Sequence, residues 1–240
     1  MNLLRLSVLL SVAPIFAAIV TIPAHACAAE SYERMAPLAS YLMPDRQAEI
    51  DLARSAAPPA ISLQATVLVL SRRGYETAEK GTNGFTCVVE RSWMSPFDSP
   101  EFWNSKMRGP ICYNPAASRT VLLYTLRRSD LAVAGVTKSE MLKRISADVA
   151  AGRLPAPEAG SMSYMMSKGG YLGDGVGPWH SHLMFYAPKA DSAGDGASWG
   201  ADLKGSPVVL DTSNRVVPEP ETIFMVPVAH WSDGSVAPAR

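Results

Sequence analysis

The chain has no excess of either charge: 22 lysines and arginines stand against 22 aspartates and glutamates in 240 residues. That excludes the basic footprint of a nucleic-acid binder and the electrostatic pull of an anionic membrane surface. Histidine is scarce, at four residues, and cysteine scarcer, at three. H-E-x-x-H, C-x-x-C, Walker and G-x-G-x-x-G patterns are all missing, which removes the familiar zinc-peptidase, redox and nucleotide-binding signatures. Past residue 22 no apolar run approaches the roughly 17–25 residues of a membrane span. Disorder is excluded too, because 48% of residues are hydrophobic and a chain of that composition buries a core.

What is present begins with an export pattern. Met1–Leu6 carries one positive side chain, Arg5, and no acid. Ser7–Ile22 is almost wholly apolar, and small residues follow in Ala24-His25-Ala26-Cys27-Ala28-Ala29. This order predicts a secretory signal peptide over residues 1–29 and one globular domain over 30–240, periplasmic or secreted. Two alternatives remain. The run is short for an uncleaved anchor and Pro14 interrupts it; acylation at Cys27 would instead give a lipoprotein. Loss of Cys27 leaves Cys87 and Cys112, and two cysteines in an oxidising compartment are expected to form a disulfide.

Asp45–Ala56 repeats alanine and leucine every fourth residue and reads as a short helix stopped by Pro58-Pro59. Ile61–Leu70, Tyr75–Glu79 and Phe85–Trp93 read as strands of an antiparallel meander, separated by Arg72-Arg73-Gly74 and Gly81-Thr82-Asn83-Gly84. Trp93–Tyr113 is an irregular loop rich in proline and aromatics. Asn114-Pro115 opens a helix through Arg128, and Thr137-Lys138-Ser139-Glu140 is a capping box for another, which Gly152 ends. Met162–Ser167, His180–Ala187, Pro207–Asp211 and Thr222–Val228 read as strands. The fold class is α+β: a mostly antiparallel sheet with helices packed on one side and long loops.

Chemistry concentrates near Trp179-His180-Ser181-His182. Alternate strand residues share a face, so His180, His182, Met184 and Tyr186 align. Two imidazoles can hold one metal ion if a third ligand joins them, and Asp174, Asp191 and Asp195 flank the strand. The equally simple reading is two hydrogen-bonded structural histidines. Met162, Met165, Met166, Met184 and Met225 fall in the same third of the chain; thioethers suit copper and also fill irregular cores. In the aromatic loop, Trp93, Phe97, Phe102 and Trp103 either present rings to a sugar or peptide or pack down as a lid. Glu90 reads as a solvent-facing carboxylate beside Arg91.

His180-Ser181-His182 with Ser192-x-x-Asp195 resembles the H-S-H-P…S-x-x-D motif of JAMM metalloproteases. That resemblance would imply zinc on His180, His182 and Asp195, with an upstream glutamate as base. It spans sixteen residues, Leu183 stands where the family has proline, and the gap to the serine is two residues longer. Separately, GTNGFTCVVERSW (Gly81–Trp93), GYLGDGVGPWHSHLMFYAP (Gly170–Pro188) and PEPETIFMVPV (Pro218–Val228) resemble stretches of uncharacterised exported bacterial proteins. That resemblance implies an envelope or extracellular location and no activity.

Two functions follow as expectations. One is an exported ligand-binding or accessory envelope protein taking a small molecule or peptide, with Trp179, Tyr186 and Trp103 around its pocket. The other is a hydrolase using a divalent metal such as zinc on His180, His182 and Asp195.

Overall fold

The computed structural model describes residues 32–174, 180–189, 204, 206, 208–210 and 215–238. The chain divides into Met1–Glu30 and Ser31–Arg240, and the description concerns the second unit. The expected signal segment over 1–29 and the candidates Trp179, Asp191 and Asp195 lie outside the described residues. Among the described residues no helix is long and apolar enough to cross a membrane.

Strands β1 (Thr66–Ser71), β2 (Gly74–Glu79), β3 (Thr86–Glu90), β4 (Gly109–Tyr113), β5 (Met162–Met165), β6 (His182–Pro188), β7 (Val209–Leu210) and β8 (Glu221–Pro227) build one sheet. Its order is β2-β1-β3-β4-β5-β6-β8-β7. Every pairing is antiparallel except β1 with β3. The α+β, mostly antiparallel class read from the sequence is therefore the one observed. The simple meander is not. After the β1–β2 hairpin the chain crosses back, and β3 joins the far side of β1 in parallel. That crossing depends on Gly81, where a Cβ would stand 2.3 Å from the backbone of Gln64–Thr66. The first strand also starts later than expected. Pro59–Ser62 forms a helical turn, α1b, with proline at its first position, where the missing N–H costs nothing.

Helix α1 (Arg46–Arg54) begins where Asp45 caps it, its side chain accepting from the Gln47 N–H at 2.8 Å. It buries Ile50 and Ala53 against Val67, Val69, Cys87, Val89 and Cys112. The expected helix from Asn114 is broken at Thr120 into α2 (Pro115–Arg119) and α3 (Leu122–Val133). Helix α4 (Lys138–Ala150) starts at the Thr137 cap, and Gly152 follows it with φ 69°. Helices α2, α3 and α4 pack on the opposite face, over Val88, Ile111, Tyr113 and Tyr186. The long helices thus share one side, and the short α1 covers the other. Strand alternation explains the split: Cys87, Val89 and Cys112 point one way, Val88, Ile111 and Tyr113 the other.

The disulfide expected from the sequence joins Cys87 and Cys112, with Cα atoms 4.0 Å apart. The two residues are directly opposed on β3 and β4 and fully buried. The bridge closes the chain segment that carries the aromatic loop. A Cys87→Ala/Cys112→Ala chain should lose about 3 kcal/mol of unfolding free energy, given the length of the closed loop, measured by denaturant titration. Its burial means thiol labelling after mild reductant should appear only in denaturant.

Two buried ion pairs anchor the aromatic loop. Arg91 meets Glu49 at 2.8 Å with both side chains almost wholly enclosed. Arg128 grips both carboxylate oxygens of Glu219, at 2.6 and 2.7 Å. Removing one partner of such a pair leaves a buried charge uncompensated, at roughly 3–5 kcal/mol. Glu219→Gln should therefore cost several times more than a surface change. Arg128→Met/Glu219→Met should cost less than Glu219→Gln alone, in the same titration.

Candidate functional site

The sheet face under α3 ends in a cavity of about 310 Å³ between the strands and the 92–107 loop. Its floor comes from β5, β6 and β8. Met165 lies directly across from His182, and Met184 directly across from Met225. Opposed residues point to one side of a sheet, so these four side chains share a face. All four line the cavity, and Met94 and Met107 reach it from the loop above. Gly109 widens it: a Cβ there would sit 3.5 Å from that of Glu90 and 3.8 Å from the Met165 methyl.

His182 is buried, at 7% exposure. Its Nδ1 lies 2.7 Å from the His180 carbonyl oxygen. A carbonyl only accepts, so Nδ1 carries a proton and donates it. Backbone holding of one nitrogen is the usual way an imidazole is oriented for ligation by the other. His180 itself is half-buried before β6 and is not part of the cavity wall.

Glu90 does not face solvent beside Arg91, as the sequence suggested. Its Oε1 accepts from the Tyr113 hydroxyl at 2.5 Å and from the Thr125 hydroxyl at 2.7 Å, at the edge of the cavity. Arg91 turns away to Glu49 and to the Tyr41 carbonyl. Burial pushes the Glu90 carboxyl above its usual value, against the two hydroxyl donors and Arg128, which pull it down. The same burial, with Glu90 as neighbour, raises the Tyr113 phenol.

The remaining candidates separate. Tyr186 shares the face of His182 but packs in the core, where its hydroxyl meets Ser163 Oγ at 2.8 Å and donates to Met184 Sδ at 3.4 Å. Trp103, 4% exposed, borders a different cavity, of about 730 Å³, with Met35, Leu38 and Val136. The loop rings pack down as a lid: Phe97 and Phe102 lie 4.9 Å apart, and Phe102 and Trp103 4.7 Å apart edge to face. Asp174 accepts hydroxyls from Tyr32 and Tyr171. Among the described residues no three histidines, cysteines or carboxylates gather as a metal group, and the expected third zinc ligand, Asp195, lies outside them. Sequence reading missed Met94, Met107 and the inward turn of Glu90. Only the pairing of β3 to β6 puts them together.

The raised Glu90 carboxyl has a signed consequence. A carboxyl whose pKa is higher folded than unfolded binds its proton better in the folded state. Its contribution to stability is present below the ordinary glutamate value of 4.5 and is lost as pH climbs through the folded value. Glu90→Gln keeps an oxygen for Tyr113 and Thr125. The wild-type minus variant difference should therefore favour wild type most in acid and decline toward neutrality, in unfolding titrations between pH 4 and 7. No pH dependence in that difference would contradict the burial of this carboxyl.

No protein-family model matches the chain, and neither a curated protein nor a solved structure matches it.

Proposed function

We propose that this is an exported ligand-binding protein and that the methionine-lined cavity is its binding site. The carrying observation is the convergence of a buried imidazole, a carboxyl biased toward its neutral form and five thioethers on one cavity of about 310 Å³. A packed core seldom leaves such a space, because interiors fill to crystal-like density. The volume sits at the lower end of small-ligand pockets, and the mix of apolar wall with a few directed polar groups is their usual chemistry. Export is supported by the N-terminal residue order and by the disulfide, which suits an oxidising compartment.

The roof supports the same reading. Arg128 donates to the carbonyls of Trp93 and Ser95 at 2.9 and 2.8 Å, which fixes the loop above the floor. The Phe97 N–H donates to the Val216 carbonyl at 2.9 Å. The cavity is held open by these contacts before any ligand arrives, which lowers the ordering cost of binding.

Indole, a neutral ring small enough for the space, is a suitable probe because thioethers favour aromatic edges. In protein carrying ¹³C-methyl methionine, indole should shift the Met165, Met184 and Met225 signals together and saturably. Met184→Trp, which fills the space, should abolish the shifts of Met165 and Met225 while circular dichroism stays native. Shifts that persist unchanged in the filled variant, or no shift at all, would overturn the assignment of the cavity as a site.

A further inference from the structure

We infer that the occupant is a soft monovalent metal ion, Cu(I), held by His182 Nε2 and the thioethers of Met165, Met184 and Met225. This rests on the cavity being a ligand site and names what fills it. The donors occupy two directly opposed cross-strand pairs, Met165 with His182 and Met184 with Met225. Directly opposed Cβ atoms stand about 4.5–5.5 Å apart, so flexible methionine side chains can bring three sulfurs and one nitrogen onto a single ion without moving backbone. The four donors come from three adjacent strands, the most rigid part of the fold, and Met94 and Met107 close over them from the loop.

The donor set selects the metal. Thioether is a soft ligand and favours Cu(I); carboxylate and water favour hard divalent ions. Here the hard donors near the floor are already engaged. Glu90 is held by Tyr113 and Thr125, and burial biases it toward the neutral acid. Glu101 at the rim accepts from the Asn104 amide at 2.7 Å. A site of neutral donors suits a single positive charge better than a double one, because an uncompensated divalent ion in a partly buried site carries the larger desolvation penalty. Met184 Sδ already accepts from Tyr186; a thioether sulfur has a second lone pair for the metal. The two cysteines of the domain are locked in the disulfide, so thioether is the sulfur donor left to it. Binding involves no change of oxidation state: the ion enters as Cu(I) and leaves as Cu(I), and the imidazole ligates through the lone pair of Nε2.

The test uses the signal-free chain without a histidine tag, titrated anaerobically with Cu(I) against the chromogenic chelator bicinchoninate. Ag(I) serves as a redox-inert stand-in for methionine-methyl spectra. The expected result is one Cu(I) per chain, with the Met165, Met184 and Met225 methyl signals moving together on Ag(I) while Met162, on the opposite face of β5, stays still. Met184→Leu/Met225→Leu preserves volume and packing, and it should weaken Cu(I) binding by more than the roughly tenfold that loss of an outer partner causes. His182→Phe should weaken it similarly. Absence of stoichiometric Cu(I), or binding indifferent to the leucine pair, overturns the metal assignment. If indole still binds in that case, the cavity remains a ligand site and only the occupant is wrong; if neither probe binds, both readings fall.

Discussion

The Arg128–Glu219 pair is the interaction on which the architecture around the cavity depends. One guanidinium reaches four acceptors: both oxygens of Glu219 and the carbonyls of Trp93 and Ser95. Its flat face lies 4.4 Å from the Phe97 ring. Three pieces of chain far apart in sequence are thereby fixed to one point: α3, the Trp93–Phe97 start of the aromatic loop, and the segment leading into β8. Desolvating the two charges is expensive, and such pairs break even only when nearly every hydrogen-bonding group is satisfied. Here the surrounding carbonyls supply that satisfaction. The pair therefore acts mainly as a positioning device. A loop of large rings left to itself would collapse onto the nearest apolar surface, the methionine face of the sheet. Tied to Arg128, its rings instead stack against each other and leave space beneath.

Arg91 repeats the device just beyond the last residue of β3. It spends its donors on Glu49 and on the Tyr41 and Val89 carbonyls, and Glu49 also accepts from the Leu70 N–H at 3.1 Å. The charge of these two arginines is thus consumed by structure, and burial pushes the Glu90 carboxyl at the cavity edge toward neutrality. The floor itself is lined by the His182 ring and thioether sulfur, with Glu101 and Arg215 among the other lining residues.

The legible parts of this structure were those written in local sequence. Asp45 and Thr137 name helix starts because their side chains cap the first turn, and Cys87 with Cys112 named a bridge by compartment alone. The parallel β1–β3 pairing was not legible, because it depends on a crossing made possible by the crowding at Gly81 rather than on any strand pattern. The break at Thr120 was equally hidden inside a run, VLLYTL, that suits helix or strand. For the site, alternation along β6 put His182, Met184 and Tyr186 on one face correctly. Which of them met a cavity was a question of register. Tyr186 is two residues further along, far enough to fall beneath the helices and become core, while His182 falls beneath the loop. Glu90 was misread for a related reason. Its sequence neighbour Arg91 is the obvious partner, yet successive strand residues point to opposite faces. The true partners, Tyr113 and Thr125, lie on β4 and α3.

On the proposed reading of an exported soft-metal site, the disulfide and the methionines are two consequences of one constraint. In an oxidising compartment a free thiolate is a poor choice for a standing soft-metal ligand, because it is oxidised or captured by another thiol. Cys87 and Cys112 face away from the cavity, into the α1 side of the sheet, and there they staple β3 to β4 one residue from Tyr113. The staple stiffens the two strands that carry Glu90, Gly109 and Tyr113, and so fixes the near wall of the cavity. Sulfur on the cavity side is thioether only, among the described residues, which neither ionises nor forms mixed disulfides. A fold that places its disulfide on one face and the cavity thioethers on the other keeps covalent crosslinking and reversible ligation from interfering. The sheet's two-residue alternation is what makes that separation possible with Cys112 and Tyr113 adjacent in the chain.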